Sequence, residues 1–319
     1  MKAITYTEYG SADVLRLVEA EKPVPTDDEV LIRIRAASLN AYDLHMMRGR
    51  PWPARFMAGG LRMPKDPRPG RDVAGEIEAV GRGVTQFQPG DEVFGFCRGS
   101  LAEYACAKEA TLARKPANVS FEDAAAVPMA AITALQGLRD KGRIRQGQQV
   151  LIDGASGGVG TFAVQVARSF GAEVTAVCST RHVDTARDIG ADHVVDYTHE
   201  DFTKSANRYD LIFGANAHRS IFDYRRALGP GGIYVMSGGG GPQILQAMSL
   251  GPLLSRFGNK KVRLVGAKNS QADLDFLKEL LAAGKITPVI DRRFPLSEAP
   301  EAMRYLGEGH ARGKVVVTV

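Results

Sequence analysis

The sequence has few cysteines and no long apolar run, and each shortage excludes a class of protein. Only three cysteines, Cys97, Cys106 and Cys178, occur in 319 residues, and their odd number and wide spacing argue against a disulfide framework. No apolar signal segment begins the chain, and the longest nearly apolar run, residues 124–135, is about half of a bilayer span. We therefore expect a cytoplasmic protein that neither crosses a membrane nor is exported.

Concentrated charge is lacking as well. The formal net charge is +5, and the basic residues are spread along the chain. Nucleic-acid-binding proteins more often group basic residues in a stripe with aromatic residues between them, so we expect no nucleic-acid partner. Contents of 44% hydrophobic and 24% charged residues are typical of a globular protein, and the length suits about two domains.

The first third of the chain predicts β-structure. Residues 29–37 alternate apolar and charged side chains with period two, as a half-buried strand does. Residues 72–80 and 92–96 continue this pattern and predict a small barrel or an open β-domain. The tail, residues 314–319, returns to strand character, and we expect it to rejoin this domain.

The middle of the chain alternates strand and helix patterns. Strand 149–153 precedes a helix over 158–169, and strand 173–177 precedes a helix over 182–189; further strands are predicted at 193–197, 209–214 and 232–237. Such alternation predicts an open, doubly wound parallel sheet that is covered by helices.

A glycine-rich turn joins the first of these strands to its helix. Residues 154–160 read GASGGVG, in the strand–turn–helix context of a dinucleotide-binding fingerprint. Side chains at Gly157 or Gly158 would block the approach of a pyrophosphate to the backbone, and Gly160 allows close packing of helix on strand. The predicted contacts are Ser156, Gly157, Gly158, Val159 and Gly160, at the positive end of the helix.

The second strand predicts which dinucleotide is bound. NAD-binding proteins usually place an acid about 20 residues after the fingerprint, but residues 177–181 (VCSTR) contain none. Hydroxyl and guanidinium groups would instead bind a 2′-phosphate, so we predict NADP(H) with Ser179 and Arg181 as the main contacts. Thr180 and Tyr197 are secondary candidates, and the alternative is that Arg181 is simply solvated at a helix start.

Two further cofactor contacts are predicted beyond these strands. Asn216 follows the predicted strand 209–214, and Gly238 follows the predicted strand 232–237. Both are candidates to contact NADPH.

The motifs together resemble a known family. Six segments carry the resemblance to the medium-chain dehydrogenase/reductases, specifically their zinc-independent quinone oxidoreductase-like branch: EVLIRIRAASLNAYD (29–43), GRDVAGEIEAVG (70–81), PGDEVFG (89–95), LAEYA (101–105), AAAVPMAAITAL (124–135) and GASGGVG (154–160). The resemblance covers essentially the whole chain. It implies a GroES-like catalytic domain over 1–122, completed by 291–319, and a Rossmann NADP(H)-binding domain over 123–290. Cofactor and substrate would meet in the cleft between the domains.

The resemblance also bears on zinc. Zinc-dependent members have a ligating Cys where this chain has Asn40 and a ligating His where it has Arg71, and they add a Cys or an acid in the stretch that matches 124–135. That stretch contains no Cys, His, Asp or Glu. A catalytic zinc usually needs three protein ligands, and an arginine cannot be one, so no zinc is expected.

Without a metal, hydrogen-bond donors must stabilise the charge that develops on the substrate oxygen. A quinone or an α,β-unsaturated carbonyl delocalises this charge, and such acceptors are the predicted small-molecule substrates of hydride transfer from NADPH. The resemblance points to Asn40 and Tyr42 near the substrate, with Asp43 fixing the loop or an amide of the cofactor. The alternatives are that Asn40 only makes a turn, Asp43 only caps a helix over 43–48, and Tyr42 only packs.

Other interpretations of the chain stay open at this point. It could be an NADP-dependent alcohol dehydrogenase or carbonyl reductase, a non-catalytic NADPH-binding sensor, or a nucleic-acid-binding module. A homodimer is expected, joined through an edge strand over 261–267. The segment 48–69, with Trp52, Phe56 and Met57, is a candidate to fold over the cleft and shape substrate access.

Overall fold

The computed structural model describes residues 1–50, 52, 55 and 60–319, and the chain divides into two units. The first unit comprises Met1–Met129, Asn269–Ala283 and Ile290–Val319, and the second comprises Ala130–Lys268 and Gly284–Val289. Phe56 and Met57, which belong to the predicted cover over the cleft, lie outside the described residues. No helix in the described part of the chain has both the length and the apolar character needed to cross a lipid bilayer.

Strands occur in both units. In chain order they are β1 (Lys2–Thr5), β2 (Arg16–Glu19), β3 (Glu29–Leu39), β4 (Asp72–Val80), β5 (Glu92–Phe96), β6 (Tyr104–Lys108), β7 (Leu112–Arg114), β8 (Gln149–Asp153), β9 (Glu173–Cys178), β10 (His193–Asp196), β11 (Tyr209–Gly214), β12 (Leu228–Met236), β13 (Lys261–Leu264), β14 (Ile290–Pro295) and β15 (Lys314–Thr318).

The described α-helices follow the same order. They are α1 (Ala41–Arg48), α2 (Phe121–Ala126), α3 (Pro128–Gln136), α4 (Gly158–Ser169), α5 (Val183–Asp188), α6 (Ile221–Ala227), α7 (Gly241–Arg256), α8 (Gln271–Ala282) and α9 (Ala299–Gly307). The helix predicted over 182–189 is shorter than expected, because a 3₁₀ turn over Thr180–His182 comes before α5.

A mixed sheet forms the centre of the first unit. Its strand order is β14-β15-β3-β4-β5-β7, and β6 also pairs with β3. Strands β4 and β5 have the predicted bounds, whereas β3 continues to Leu39. Period-two alternation places Val30, Ile32 and Ile34 of β3 in one buried cluster. The C-terminal strand β15 pairs antiparallel with β3, with Val315 opposite Leu39.

Helix α8 belongs to the first unit, although the sequence analysis counts residues 269–283 in the second domain. Leu274, Leu277 and Leu281 are buried on this helix. The Gln271 side-chain amide donates to the carbonyl of Leu112, and the Asn118 amide donates to the carbonyl of Ala282. These long-range contacts hold both ends of α8 to the first unit.

The second unit contains a parallel sheet of six strands in the order β10-β9-β8-β11-β12-β13. The chain passes from β8 outward to β10 and then returns to β11 on the other side of β8. The carboxyl ends of β8 and β11 therefore flank a topological switch point, where open α/β sheets bind ligands. Strand β13 ends at Leu264, so the edge strand predicted over 261–267 is shorter than expected.

Candidate active site

The turn between β8 and α4 packs too closely on the helix for a side chain at Gly160. Gly157 is the N-cap of α4 in an extended conformation, and no side chain caps the helix there. A Cβ atom on Gly160 would lie 2.0 Å from the Gly154 carbonyl oxygen and 2.8 Å from Ala155 Cα. The first turn of α4 therefore rests directly on the loop, which fits the pyrophosphate of a dinucleotide.

The remaining residues predicted at this edge of the sheet lie around the same loop. Gly154 has φ +81°, and a Cβ atom there would be 2.9 Å from the backbone nitrogen of Asn216. Gly238 accepts a hydrogen bond from Ala217 N, and a Cβ atom on Gly238 would be 2.6 Å from the Ala215 carbonyl oxygen. The structure thus places Asn216 and Gly238 at the carboxyl ends of β11 and β12, beside the glycine turn. Ser156, Gly158 and Val159 are half-buried in it.

The predicted 2′-phosphate contacts follow β9. Ser179 is half-buried, whereas Thr180 and Arg181 are exposed in the 3₁₀ turn. Tyr197 N donates to the Cys178 carbonyl at 3.0 Å, which holds the exposed Tyr197 next to this strand end. The Thr180 hydroxyl is 3.0 Å from that of Thr198 and is already hydrogen-bonded.

An acid at this strand end was missed by the sequence analysis. Asp196 ends β10 directly opposite Cys178 of β9. Desolvation opposes its ionisation, but hydrogen bonds from Thr180 and Thr198 lower the pKa of Asp196 to about 2. Its carboxylate is therefore charged and turned into its own loop, where it also accepts from Thr198 N. The usual position of the acid is the end of the second strand of the sheet, β9, whereas Asp196 ends the third strand, β10.

The first unit contains a buried polar network around Asp72. Lys314 and Asp72 are 2% and 0% exposed, and Lys314 Nζ lies 3.4 Å from Asp72 Oδ2. Ser38 Oγ and Asn40 Nδ2 donate to the same oxygen at 3.0 and 2.9 Å. Lys314 Nζ also donates to Asn40 Oδ1, and Met129 N donates to Asp72 Oδ1. The C-terminal strand thus supplies the cation for a carboxylate on β4.

Burial shifts the ionisation of this network. It raises the pKa of Asp72, and the Lys314 ammonium and the hydrogen bonds from Asn40 and Ser38 act against this rise. It lowers the pKa of Lys314, against which the two nearby carboxylates act. For Asp43, burial and the charge of Asp72 raise the pKa to about 7. Each charge is therefore tolerated only through its partners.

The structure gives Asn40 and Asp43 capping positions at α1. Asn40 is the N-cap, and its backbone nitrogen donates to Asp43 Oδ2 at 2.9 Å. Helix α1 begins at Ala41, not at residue 43, because this capping box fixes its first turn. The Asn40 side chain is 9% exposed and bonded to Asp72 and Lys314. Asn40 therefore caps the helix that Asp43 was expected to cap, and Asp43 lies in its first turn; a direct role of either residue in catalysis stays a prediction.

Tyr42 lies in a different environment. Its half-buried ring lies under the Arg71 guanidinium, with 5.2 Å from Cζ to the ring centroid, and its hydroxyl accepts from Arg71 Nη2 at 3.3 Å. Both residues line a cavity of about 270 Å³ together with Tyr6, Asp43 and Met46. From the sequence, Arg71 stands out only because an arginine cannot bind zinc. In the structure its guanidinium donates a hydrogen bond to the Tyr42 hydroxyl.

Metal-binding side chains are not grouped in the described part of the chain. No cluster of three or more His, Cys, Asp or Glu residues is positioned to hold an ion among the residues described. Whether the protein uses zinc stays a prediction of the sequence.

Known proteins are similar to this chain in sequence and in fold. The family model for an alcohol dehydrogenase GroES-like domain matches residues 26–117, and that for a zinc-binding dehydrogenase matches 189–317. A 2-methylene-furan-3-one reductase of Solanum lycopersicum is 36% identical, covering 99% of this chain and 79% of the relative. A chloroplastic NADPH-dependent alkenal/one oxidoreductase of Arabidopsis thaliana is 35% identical with the same coverage. The quinone oxidoreductase structure from Coxiella burnetii aligns with TM-score 0.87 and 29% identity over 100% of this chain and 99% of its own.

These similarities define the class of the protein. It is an NAD(P)H-dependent oxidoreductase that combines a GroES-like domain with a Rossmann-type sheet, and the predicted fold class is confirmed. More narrowly, the chain belongs to the medium-chain dehydrogenase/reductase superfamily, in its quinone oxidoreductase-like branch.

Proposed function

We propose that the protein uses NADPH, without zinc, to reduce quinones or α,β-unsaturated carbonyl compounds. The names of its relatives support this range of acceptors. The observation that carries the proposal is the pairing of Tyr42 and Arg71 in the wall of one cavity. This pair offers a phenol and a cation where the zinc-dependent relatives would offer a metal.

The side chains at the expected ligand positions support a zinc-free reaction. Asn40 has its amide oxygen and nitrogen bonded to Lys314 and Asp72. Arg71 carries a guanidinium, which is not a metal ligand. Residues 124–135 supply no Cys, His, Asp or Glu.

The reaction is balanced with one proton. NADPH held at the glycine turn, Gly157–Gly160, would supply the hydride and leave as NADP⁺, and the acceptor would gain that hydride together with one proton from solvent or a side chain. The Tyr42 hydroxyl donates a hydrogen bond to the acceptor oxygen while Arg71 donates to the Tyr42 oxygen. Arg71 thereby favours negative charge on the phenol and the acceptor as the hydride arrives.

The first test is turnover. In the presence of EDTA, we expect the protein to oxidise NADPH with an ortho-quinone and with an enal. The variant Tyr42→Phe should lower kcat by about tenfold to 100-fold. Tyr104→Phe is the matched control, since Tyr104 lies beside Lys22 and does not line the Tyr42 cavity. Activity that EDTA abolishes and zinc restores would refute the zinc-free reaction, and tight NADPH binding with no turnover would favour a sensor.

Preference for NADPH over NADH is proposed to rest on Arg181 and Ser179. An arginine–phosphate hydrogen bond is charge-assisted, so Arg181→Gln should lower the NADPH-over-NADH ratio of kcat/KM by about tenfold or more. The control Arg187→Gln also removes an exposed arginine but one that pairs with Asp184. An unchanged ratio in Arg181→Gln would show that Arg181 is only solvated.

Edge strands and cysteines bear on assembly and location. We propose a homodimer joined at β13, because in the described sheet β13 pairs with β12 alone. A cytoplasmic location is proposed from the three free cysteines, which suit a reducing compartment. The partners are expected to be a small-molecule substrate and a second copy of the chain, with no nucleic acid or membrane.

A further inference from the structure

The cavity beside Tyr42 has more basic than acidic side chains in its wall. The basic residues are Lys65, Arg68, Arg71 and Arg98, and the acidic ones are Asp43 and Asp66. The glycine turn between β8 and α4 lies in the other unit, so these basic residues are not among the predicted dinucleotide contacts.

Both carboxylates already have partners. Arg68 holds Asp66 with two hydrogen bonds, of 2.8 Å from Nε and 3.1 Å from Nη2. Asp43 is 4% exposed, and its carboxylate accepts the backbone N–H of Asn40. Against desolvation, the Arg98 charge also helps Arg68 to lower the pKa of Asp66, but among the described residues Asp66 forms its ion pair with Arg68.

Two cations of the wall are left without a carboxylate. In the described part of the chain, Arg98 and Lys65 form no ion pair, and both are exposed. Arg98 is held beside the site by the backbone, because Cys97 N donates to the Arg71 carbonyl and Gly99 N donates to the Gly70 carbonyl. The backbone therefore fixes the position of residue 98 next to Arg71, and the exposed Arg98 side chain lines the same cavity as the Tyr42–Arg71 pair.

These positions divide the cavity into two regions of different chemistry. Tyr42 and Arg71 are half-buried and offer donors to a carbonyl oxygen, whereas Arg98 and Lys65 are exposed and offer full positive charge. A volume of about 270 Å³ suits a compact ligand and not one with a nucleotide tail.

We propose that the substrate is a small conjugated carbonyl compound that carries a carboxylate, which Arg98 and Lys65 bind while its reacting oxygen lies at Tyr42. This inference rests on the proposed function. A guanidinium binds a carboxylate with two parallel hydrogen bonds, and the carboxylate orients the acceptor as well as attracting it.

The test compares two acceptors of the same skeleton, one charged and one neutral. One is an enone with a carboxylate two methylene groups from the conjugated system, and the other is its methyl ester. We expect kcat/KM with NADPH to be about tenfold or more higher for the acid. High salt should reduce this difference, because it screens exposed charges.

Variants show whether Arg98 causes the difference. In Arg98→Gln the acid-to-ester ratio should fall to within about threefold of unity, and Arg98→Lys should keep part of it. Arg82→Gln, which removes an exposed arginine outside the cavity wall, should keep the full ratio. Equal kcat/KM for acid and ester, or a ratio unchanged in Arg98→Gln, would overturn the inference and leave the proposed function standing. No turnover of quinone, enal, acid or ester would overturn the proposed function itself.

Discussion

Replacing Lys314 with methionine should lower the free energy of unfolding by about 3–5 kcal/mol at neutral pH. Methionine fills much of the same volume but leaves the Asp72 carboxylate, 0% exposed, without its cation. It also removes the donor to Asn40 Oδ1 and to the Leu39 carbonyl. Urea unfolding monitored by circular dichroism measures the loss. If the two units unfold in separate transitions, only the transition of the first unit should shift.

A surface pair provides the control. Lys108 pairs with Asp28 at 2.9 Å, and both side chains are more than half exposed. Lys108→Met also exchanges a lysine for methionine, but water solvates the remaining carboxylate, so its effect should be much smaller. If the two variants unfold at the same urea concentration, the buried pair contributes no more to the free energy of unfolding than the exposed pair does.

The loss in Lys314→Met should also depend on pH. Burial raises the pKa of Asp72 in the folded protein above its value in the unfolded chain. A raised carboxyl pKa lowers stability above the unfolded pKa, and this penalty disappears as the pH falls and the folded carboxyl is protonated. Loss of the Lys314 ammonium, which acts against this rise, raises the pKa of Asp72 further in the variant, so the variant carries the larger penalty at neutral pH. The deficit relative to the wild type should therefore shrink between pH 7 and about pH 4. Adding Asp72→Asn, which removes the charge, should recover part of it at pH 7.

The Asp72 network shows why part of the site could not be predicted from sequence. Lys314 and Asp72 are 242 positions apart, and no local pattern relates them. The tail was expected to rejoin the first domain because 314–319 (KVVVTV) returns to strand character. Which residue its lysine would meet depends on the register of β15 against β3, which only the folded sheet defines.

Features formed by residues adjacent in the chain were predicted more completely than contacts between distant residues. The glycine turn was found because strand, loop and helix N-terminus are adjacent in the chain, and Gly154 and Gly160 each meet a local steric requirement. The pairing of Arg71 with Tyr42 was missed because β4 and α1 come together only through the sheet. The packing of α8 in the first unit could not be predicted for the same reason: its leucine spacing is that of an amphipathic helix but does not identify the surface that it covers.

Gly160→Ala should weaken NADPH binding by about 100-fold or more. The added Cβ atom would lie 2.0 Å from the Gly154 carbonyl oxygen, and because this neighbour is backbone, either α4 or the loop must move by about an ångström. Such a shift displaces the helix N-terminus from the position in which its N–H groups meet the pyrophosphate. Fluorescence titration with NADPH measures the affinity directly, whatever the substrate is.

Gly266→Ala is the matched control for this substitution. Gly266 lies in the same unit, and a Cβ atom there would have no heavy atom within 4 Å. It should bind NADPH like the wild type. Near-normal affinity in Gly160→Ala would mean that α4 can move without loss of the cofactor, and the dinucleotide would then be bound mainly through contacts outside the turn. A Gly160→Ala protein that stays folded by circular dichroism but loses NADPH would locate the pyrophosphate at this helix N-terminus.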